Sequence, residues 1–201
     1  MKISRADQTQ PTFDALVRLH LDEINSGFLS SLGEKSLDLL FSFSAKSGTA
    51  ILLVARDSTT STIQGFLLGS YDTRKFYREF LKENILQSLF YVGPRILTPQ
   101  RIRKVIETLL YPSKKEIKDL PSPEILDLVI CKKSQGKGIG GALFREFTSI
   151  LAQSGLNKFK ITTGESLSDA HAFYEKMGAT HDRNISIHTG QVTRVYLYQI
   201  K

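Results

Sequence analysis

Four glycines lie within residues 136–141, inside the segment S-Q-G-K-G-I-G-G-A-L that spans residues 134–143. The segment follows an apolar stretch typical of a strand and precedes an apolar periodicity typical of a helix. The first N–H groups of a helix have no partner within the helix, and the helix dipole is positive at that end. Glycine allows a ligand to approach the backbone closely. The segment therefore predicts a strand–turn–helix unit that binds phosphate groups.

The glycine spacing fits two kinds of phosphate-bearing ligand. Residues 136–141 satisfy the G-x-G-x-x-G pattern of dinucleotide sites, and Glu165 follows near the distance at which such sites carry an acidic residue. Residues 135–140 equally satisfy Q-x-x-G-x-G, the spacing of an acyl-coenzyme A site. Only 36 residues follow Glu165, too few for the remaining strands and helices of a dinucleotide fold. The chain length therefore argues against a dinucleotide oxidoreductase, which stays the alternative to an acyl-coenzyme A site.

The composition restricts the class of protein and its partners. At 201 residues the chain is long enough for one sizeable core, so we predict a single domain over residues 1–201. The net charge is +7, but the 27 Lys and Arg residues are spread along the chain without a basic tail, so we expect no nucleic-acid partner. The single cysteine, Cys131, excludes an internal disulfide. No apolar run suits a signal peptide or a membrane span, so we expect a cytoplasmic protein with no membrane partner.

The order of the apolar patterns predicts a mixed α/β fold. Helical patterns separate the third predicted strand from the fourth, so residues 72–123 are expected to form a helical insertion. The last two strands should meet in a hairpin at Gly190. The predicted strands are 2–7, 50–56, 62–71, 124–131, 158–163, 179–189 and 191–200, and the predicted helices are 13–24, 33–43, 73–91, 99–111, 140–154 and 168–177.

Two motifs and the element order resemble one known superfamily. The run Q-G-K-G-I-G-G-A-L-F after an apolar strand resembles the cofactor motif of the GNAT acetyltransferases. The segment A-H-A-F-Y-E-K-M-G-A, residues 170–179, is similar to that superfamily's Ala-x-x-Phe-Tyr-Glu-Lys-x-Gly-Phe segment. The resemblance implies a GNAT-like mixed central sheet flanked by helices. It also implies an N-acetyltransferase that uses acetyl-CoA as co-substrate and needs no metal.

The resemblance assigns the cofactor contacts to the glycine loop and to the strand before it. In this superfamily that strand splays from its neighbour, and its free backbone groups pair with the pantetheine arm. Many members carry an Asn at the position of Leu167, so Ser168, which we predict to cap the following helix, is the expected substitute. The predicted cofactor-binding residues are Val129, Ile130, Gln135, Gly136, Lys137, Gly138, Ile139, Gly140, Gly141 and Ser168.

The reaction needs a base for the acceptor amine and an acid for the departing thiolate. By the resemblance, Tyr174 is the acid, because a phenol stays protonated at neutral pH. Glu124 is favoured as the base and Asp127 is its rival, with a water relay as the alternative to both. Three residues apart on a strand, the two carboxylates should face opposite sides unless a bulge intervenes, so at most one should face the acceptor.

The remaining chemically active side chains are expected to be structural. Cys131 follows an apolar strand, as a small core residue would. The histidines show no metal-ligand spacing, and we expect structural or solvated roles for His20, His171, His181 and His188.

The acceptor is predicted to be a primary amine on a small molecule. Residues 27–41, G-F-L-S-S-L-G-E-K-S-L-D-L-L-F, are similar to a segment of GNAT proteins associated with surface-polysaccharide and sugar modification. An amino sugar or a nucleotide-linked amino sugar is therefore favoured, while peptide amines, polyamines and aminoglycosides stay open. The alternative is an inactive GNAT-like module that binds coenzyme A or a partner, suggested by Leu167. The insertion could also provide a homodimer contact.

Overall fold

The computed structural model describes residues 1–24, 28–92, 103, 107–108, 117–187 and 191–200. These residues form a central sheet with helices on both of its faces. In chain order the elements are β1 (Lys2–Arg5), α1 (Gln10–Glu23), α2 (Phe28–Leu32), α3 (Glu34–Lys46), β2 (Ala50–Arg56), β3 (Ile63–Ser70), α4 (Thr73–Val92), β4 (Glu124–Ile130), a 3-10 turn (Lys132–Ser134), α5 (Ile139–Gln153), β5 (Lys158–Gly164), α6 (Ser168–Lys176), β6 (Thr180–Ile185) and β7 (Thr193–Gln199).

The seven strands of the described residues form one mixed sheet in the order β1-β2-β3-β4-β5-β7-β6. The pair β4–β5 is parallel, and the other neighbouring strands in this order are antiparallel. The predicted mixed α/β fold is confirmed.

Each face of the sheet carries its own core. On one face α1 and α3 pack against residues such as Leu52 and Phe66, and on the other α5 and α6 pack against residues such as Leu53 and Phe159. Because both faces are covered, β2 reads as a continuous apolar run rather than as an alternating one. The helix α5 contributes an apolar stripe at helical spacing, which consists of Ile139, Leu143, Phe144, Phe147 and Leu151.

The strands β4 and β5 separate soon after they begin. They pair only at Glu124 with Lys160 and at Ile125 with Ile161. From Lys158 to Gly164, β5 continues to pair with β7 on its other side. The edge of β4 that faces β5 is therefore without a partner strand beyond Ile125.

A β-bulge lies in β4 next to this point. Leu68 of β3 pairs with Asp127 and the next residue, Gly69, pairs with Ile125, so Leu126 is an extra residue. Ser70, which pairs with Glu124, shares a face with Leu68 because the two are two residues apart. Glu124 and Asp127 therefore face the same side of the sheet, which is the exception that a bulge makes to the expected opposite sides.

Several other details differ from the sequence-based prediction. The short helix α2 was not predicted, and β6 ends at Ile185 instead of near Thr189. The helix α4 does lie between β3 and β4. The second predicted helix of the insertion, 99–111, and the turn at Gly190 lie largely outside the described residues.

Gly69 tests the tight packing beneath the bulge. A Cβ atom at this position would overlap the ring of Phe147 and lie 3.1 Å from the carbonyl oxygen of Glu124. Phe147 is fully buried, so its ring has little room to move. We expect Gly69→Ala to lower the free energy of unfolding by about 1–3 kcal/mol, measured by urea denaturation. Gly48→Ala is the matched control, because a Cβ there meets nothing within 4 Å. A similar loss in both variants would contradict the prediction.

Candidate active site

The glycine loop connects the open end of β4 to α5. Gly136 has φ 74° and Gly138 has φ 80°, a left-handed conformation that favours glycine. Gly138 is the N-cap of α5, so the helix begins at Ile139, one residue before the predicted start. A Cβ atom at Gly136 or Gly138 would meet nothing within 4 Å, so both residues border open space.

The backbone of this loop presents a row of unpaired donors. Within the described part of the chain, the N–H groups of residues 136–141 donate to no protein acceptor, and the first helical bond is that from the Ala142 N–H to the Gly138 oxygen, at 3.0 Å. An ordinary helix leaves four such groups at its start, so this loop extends the row to six. Lys132, Lys133 and Lys137 are exposed beside it. The arrangement suits a group with several negative charges.

Other predicted loop residues have structural roles that the sequence did not show. The side-chain amide of Gln135 donates to the Ile130 oxygen at 3.1 Å, which ties the loop to the end of β4. A Cβ atom at Gly140 would lie 3.2 Å from the ring of Phe173, so glycine here allows α5 to approach α6. At Gly141 the nearest atoms would be Arg145 Nη1 at 3.3 Å and Met177 Sδ at 3.5 Å.

Val129 and Ile130 lie on the part of β4 that has separated from β5. The Val129 side chain is buried in the core beside α1 and α3, and Ile130 is half-buried on the opposite face. Their side chains therefore pack in the protein. A ligand bound between β4 and β5 would contact the backbone groups of these two residues.

Glu124 lies at the closed end of the gap and is almost fully buried. Its Oε1 accepts a hydrogen bond from Thr162 at 2.8 Å, and its Oε2 accepts one from Thr73, also at 2.8 Å. The Lys160 ammonium lies 3.3 Å from Oε2 and donates to the Pro121 oxygen at 2.7 Å. Because both of its oxygens accept hydrogen bonds, the Glu124 carboxylate links β4 to α4 and to β5.

Asp127 is also buried, but its partners differ. Its Oδ2 lies 2.8 Å from Nδ1 of His20, and Nε2 of His20 lies 3.1 Å from the hydroxyl of Ser30. These contacts join β4 to α1 and α2. A structural or solvated role was expected for His20. Its place on the apolar stripe of α1 was the available signal, because a buried imidazole there needs a polar partner.

Tyr174 lies on α6 with its ring buried in the core beneath that helix. Burial, and then the negative charge of Asp127, raise the pKa of the Tyr174 phenol above its usual range. A raised phenol pKa keeps the proton on the oxygen through neutral and mildly alkaline pH.

The start of α6 differs from the prediction. Leu167, not Ser168, is the N-cap, and no side chain caps the helix. Ser168 is the first helical residue. Leu167 is exposed at this position.

The remaining candidates lie apart from this arrangement. His171 contacts Tyr196 Oη at 3.1 Å and the Glu165 oxygen at 3.1 Å, and Nε2 of His181 lies 2.9 Å from the side-chain oxygen of Asn184. His188 lies outside the described residues. Where the chain is described, no group of three or more His, Cys, Asp and Glu residues could hold a metal ion. None of the helices described is long and apolar enough to cross a bilayer.

Solved structures share this fold over the whole chain. An aminoglycoside 6'-N-acetyltransferase complexed with coenzyme A is 14% identical, with 100% of this chain and 98% of that chain covered and a TM-score of 0.65. An acetyltransferase of the GNAT family from Streptococcus pneumoniae is 16% identical, with 100% and 99% covered and a TM-score of 0.59. The chain has the GNAT fold. The ribosomal-protein-S18-alanine N-acetyltransferase from Escherichia coli also has a similar structure, at 10% identity, with 100% and 94% covered and a TM-score of 0.59.

The sequence comparison points to the same superfamily. The model of the Acetyltransferase (GNAT) family matches residues 110–179, which include β4, the glycine loop, α5, β5 and α6. A search of the curated proteins found no match. The family match and the shared GNAT fold together support a GNAT superfamily acetyltransferase. The amino-sugar subtype stays a prediction.

The buried Glu124–Lys160 pair is expected to matter for stability. Lys160→Met leaves the Glu124 carboxylate buried without its cation, so we expect a loss of about 3–5 kcal/mol in the free energy of unfolding. The control is Asp119→Asn, which removes an ion pair to Arg183 that is shorter, at 2.8 Å, but has side chains that are 39% and 59% exposed. That change should cost less than about 1 kcal/mol. Equal losses in urea denaturation would contradict this assignment.

Proposed function

We propose that this protein transfers an acetyl group from acetyl-CoA to the primary amine of a small acceptor. The observation that carries the proposal is the gap between β4 and β5, which leads directly to the row of six unpaired N–H groups in residues 136–141. Coenzyme A combines an extended arm containing two amide groups with a diphosphate, so it suits both parts of this surface.

Each part of the surface would bind a different part of the co-substrate. The separated edge of β4, at Val129 and Ile130, can pair with the amide-containing arm as a neighbouring strand would. The N–H groups of residues 136–141 would hold the diphosphate, with Lys137 beside them. Ser168, at the start of α6, is the proposed contact in place of the Asn found in many GNAT proteins.

Tyr174 is the proposed acid. Bound acetyl-CoA supplies a thioester whose carbon–sulfur bond breaks during the transfer. A phenol with a raised pKa keeps its proton until negative charge develops on the sulfur, and then donates it.

Of the two predicted bases, Asp127 suits the geometry better than Glu124. Both oxygens of Glu124 accept hydrogen bonds from threonines, and Lys160 lies beside one of them. Glu124 would need to lose a partner before it could take a proton. Asp127 lies past the last paired residues of β4 and interacts with Tyr174.

An amino sugar or nucleotide-linked amino sugar is the favoured acceptor. Two observations support this choice: the net charge of +7, which suits an anionic nucleotide, and the similarity of residues 27–41 to sugar-modifying GNAT proteins. In the structure this segment includes Ser30, which contacts His20 and so connects it to Asp127. We also propose that the protein acts in a reducing compartment such as the cytoplasm, since its single cysteine cannot form an internal disulfide. Its length suits a single domain.

The second candidate is a GNAT-like module that binds coenzyme A without catalysis. The exposed Leu167, where many members carry an Asn, favours it. This module would bind coenzyme A and release no thiol with any amine.

Cofactor binding is tested by thermal shift with acetyl-CoA, coenzyme A and NAD. Ligands that bind only the folded protein raise the melting midpoint by mass action. We expect both coenzyme A species to raise it and NAD to leave it unchanged. Gly138→Asp should abolish the shift, because it adds a side chain and a negative charge where the diphosphate would bind.

Gly155→Asp is the matched control for this variant. Gly155 has φ 76° and open space around its Cβ position, as Gly138 does, but it lies beyond the other end of α5. Without ligand, Gly155→Asp should have about the same melting midpoint as Gly138→Asp. With either coenzyme A species, its midpoint should rise as much as that of the wild type. A shift with NAD alone, or equal shifts in the two variants, would overturn the cofactor assignment.

Tyr174→Phe tests the proposed acid. We expect kcat for thiol release to fall by about 10²–10⁴-fold, because general acid catalysis contributes that much. Acetyl-CoA binding should be retained, since the ring remains. Tyr198→Phe is the control, because the Tyr198 ring packs against Phe144 and Phe159 on the same face of the sheet. Unchanged kcat in Tyr174→Phe would remove this residue from the reaction.

A further inference from the structure

Among the residues that the structure describes, none donates a hydrogen bond to one oxygen of the Asp127 carboxylate. Oδ2 faces Nδ1 of His20 at 2.8 Å, whereas Oδ1 accepts no hydrogen bond from any described residue. The Asp127 side chain is only 7% exposed. A buried carboxylate oxygen without a donor is costly, so its retention points to a ligand that brings donors.

His20 fixes the orientation of this carboxylate. The imidazole is itself buried, with 2% of its side chain exposed. Its two nitrogens are held at opposite ends, Nδ1 by Asp127 and Nε2 by the Ser30 hydroxyl, and its ring lies edge-on to Phe41. Because Nδ1 faces a carboxylate, this nitrogen carries the proton and donates a hydrogen bond to Oδ2. Oδ1 is thereby left for a second donor.

The position of Asp127 places that free oxygen near the proposed reaction centre. Asp127 follows the last residue of β4 that pairs with β5, and its charge acts on the phenol of Tyr174. His20 and Ser30 approach from α1 and α2, the second of which lies in the segment assigned to the acceptor. The carboxylate is therefore connected to the acceptor segment through His20 and Ser30, at the part of β4 where the gap is open.

We propose that His20 is a positioning residue: it holds the Asp127 carboxylate so that Oδ1 faces the ammonium group of the acceptor. The proposal rests on the proposed function, in which Asp127 is the base. It assigns a role to His20 that the sequence did not indicate.

The protons balance as follows. The ammonium gives one proton to Asp127 Oδ1, which leaves a neutral amine. The amine nitrogen then forms a bond to the acetyl carbon, the carbon–sulfur bond breaks, and Tyr174 donates its proton to the sulfur. The second proton leaving the nitrogen restores the Tyr174 phenol. After the neutral amide departs, the proton on Asp127 passes to water, which restores the carboxylate for the next acceptor.

The first test compares variants of His20 in thiol release from acetyl-CoA, with glucosamine, kanamycin and spermidine as acceptor probes. Asp127→Asn should lower kcat by about 10²-fold or more. His20→Leu removes the donor to Oδ2 and should lower kcat by about 10–10²-fold. His20→Asn places an amide nitrogen near the position of Nδ1 and should recover most of that loss. His171→Leu is the matched control, because His171 is also buried but contacts Tyr196 and Glu165; it should keep the wild-type kcat.

The second test detects recognition without turnover. In protein labelled with ¹⁵N-histidine, the Nδ1–H resonance of His20 is assigned by its loss in His20→Asn. We expect at least one of the three amines to shift this resonance, and N-acetylglucosamine, which carries no positive charge, to leave it unchanged. Asp127→Asn should abolish the response.

The outcomes separate this proposal from the proposed function. Equal losses of kcat in His20→Leu and His171→Leu, or no resonance shift with any of the three cations, would overturn the role of the Asp127–His20 pair. Thiol release that survives in His20→Leu and Asp127→Asn would do the same while leaving acetyl transfer intact. A shift with an amine but no thiol release with any of them would overturn acetyl transfer and retain Asp127 as the ammonium site.

Discussion

The ion pair between Glu124 and Lys160 holds β4 and β5 together just before the two strands separate, and the candidate site depends on this contact. The two residues face each other at the first paired position of β4 and β5, and both are buried. A buried ion pair is costly to desolvate and is retained only where hydrogen bonds satisfy the remaining polar atoms. Here Thr73 from α4, Thr162 from β5 and the carbonyl oxygen of Pro121 do so. The contacts join α4, β4 and β5 at the closed end of the gap.

The bulge at Leu126 places Asp127 on the same face of the sheet as Glu124, where His20 can reach it. Without the extra residue, Asp127 would face α5 and α6, and His20 on α1 would lie on the wrong side of the sheet to reach it. With the bulge, the first part of β4 pairs on both edges and holds the buried Glu124. The second part, from Asp127 onward, keeps one edge without a partner strand. The first part of β4 thus has a structural role, and its second part is the proposed binding edge.

The local backbone of the candidate site could be predicted from the sequence. The glycine loop could be recognised because left-handed dihedrals and unpaired helix-start amides are properties of a short segment. Tyr174 was proposed through its motif, and its role stays a prediction. Features that depend on contacts between distant segments were not found. His20 and Asp127 are 107 residues apart in the chain. The bulge exists only in the pairing of β4 with β3, so residue spacing alone could not show that Asp127 and Glu124 share a face. The burial of Glu124 likewise depends on Thr162 and Lys160, which belong to another strand.

The sheet can also be regarded as two antiparallel halves, β1–β4 and β5–β7, joined along only two residue pairs. Beyond that seam the halves are held together mainly by α5, whose Phe144 and Phe147 pack against Phe159 of β5 while α5 covers β2 and β3. Backbone amides on either side of the seam belong to separately bonded ladders, so they can exchange with solvent deuterium as two units. A molecule lying in the gap would add hydrogen bonds across the seam and make the two units open together.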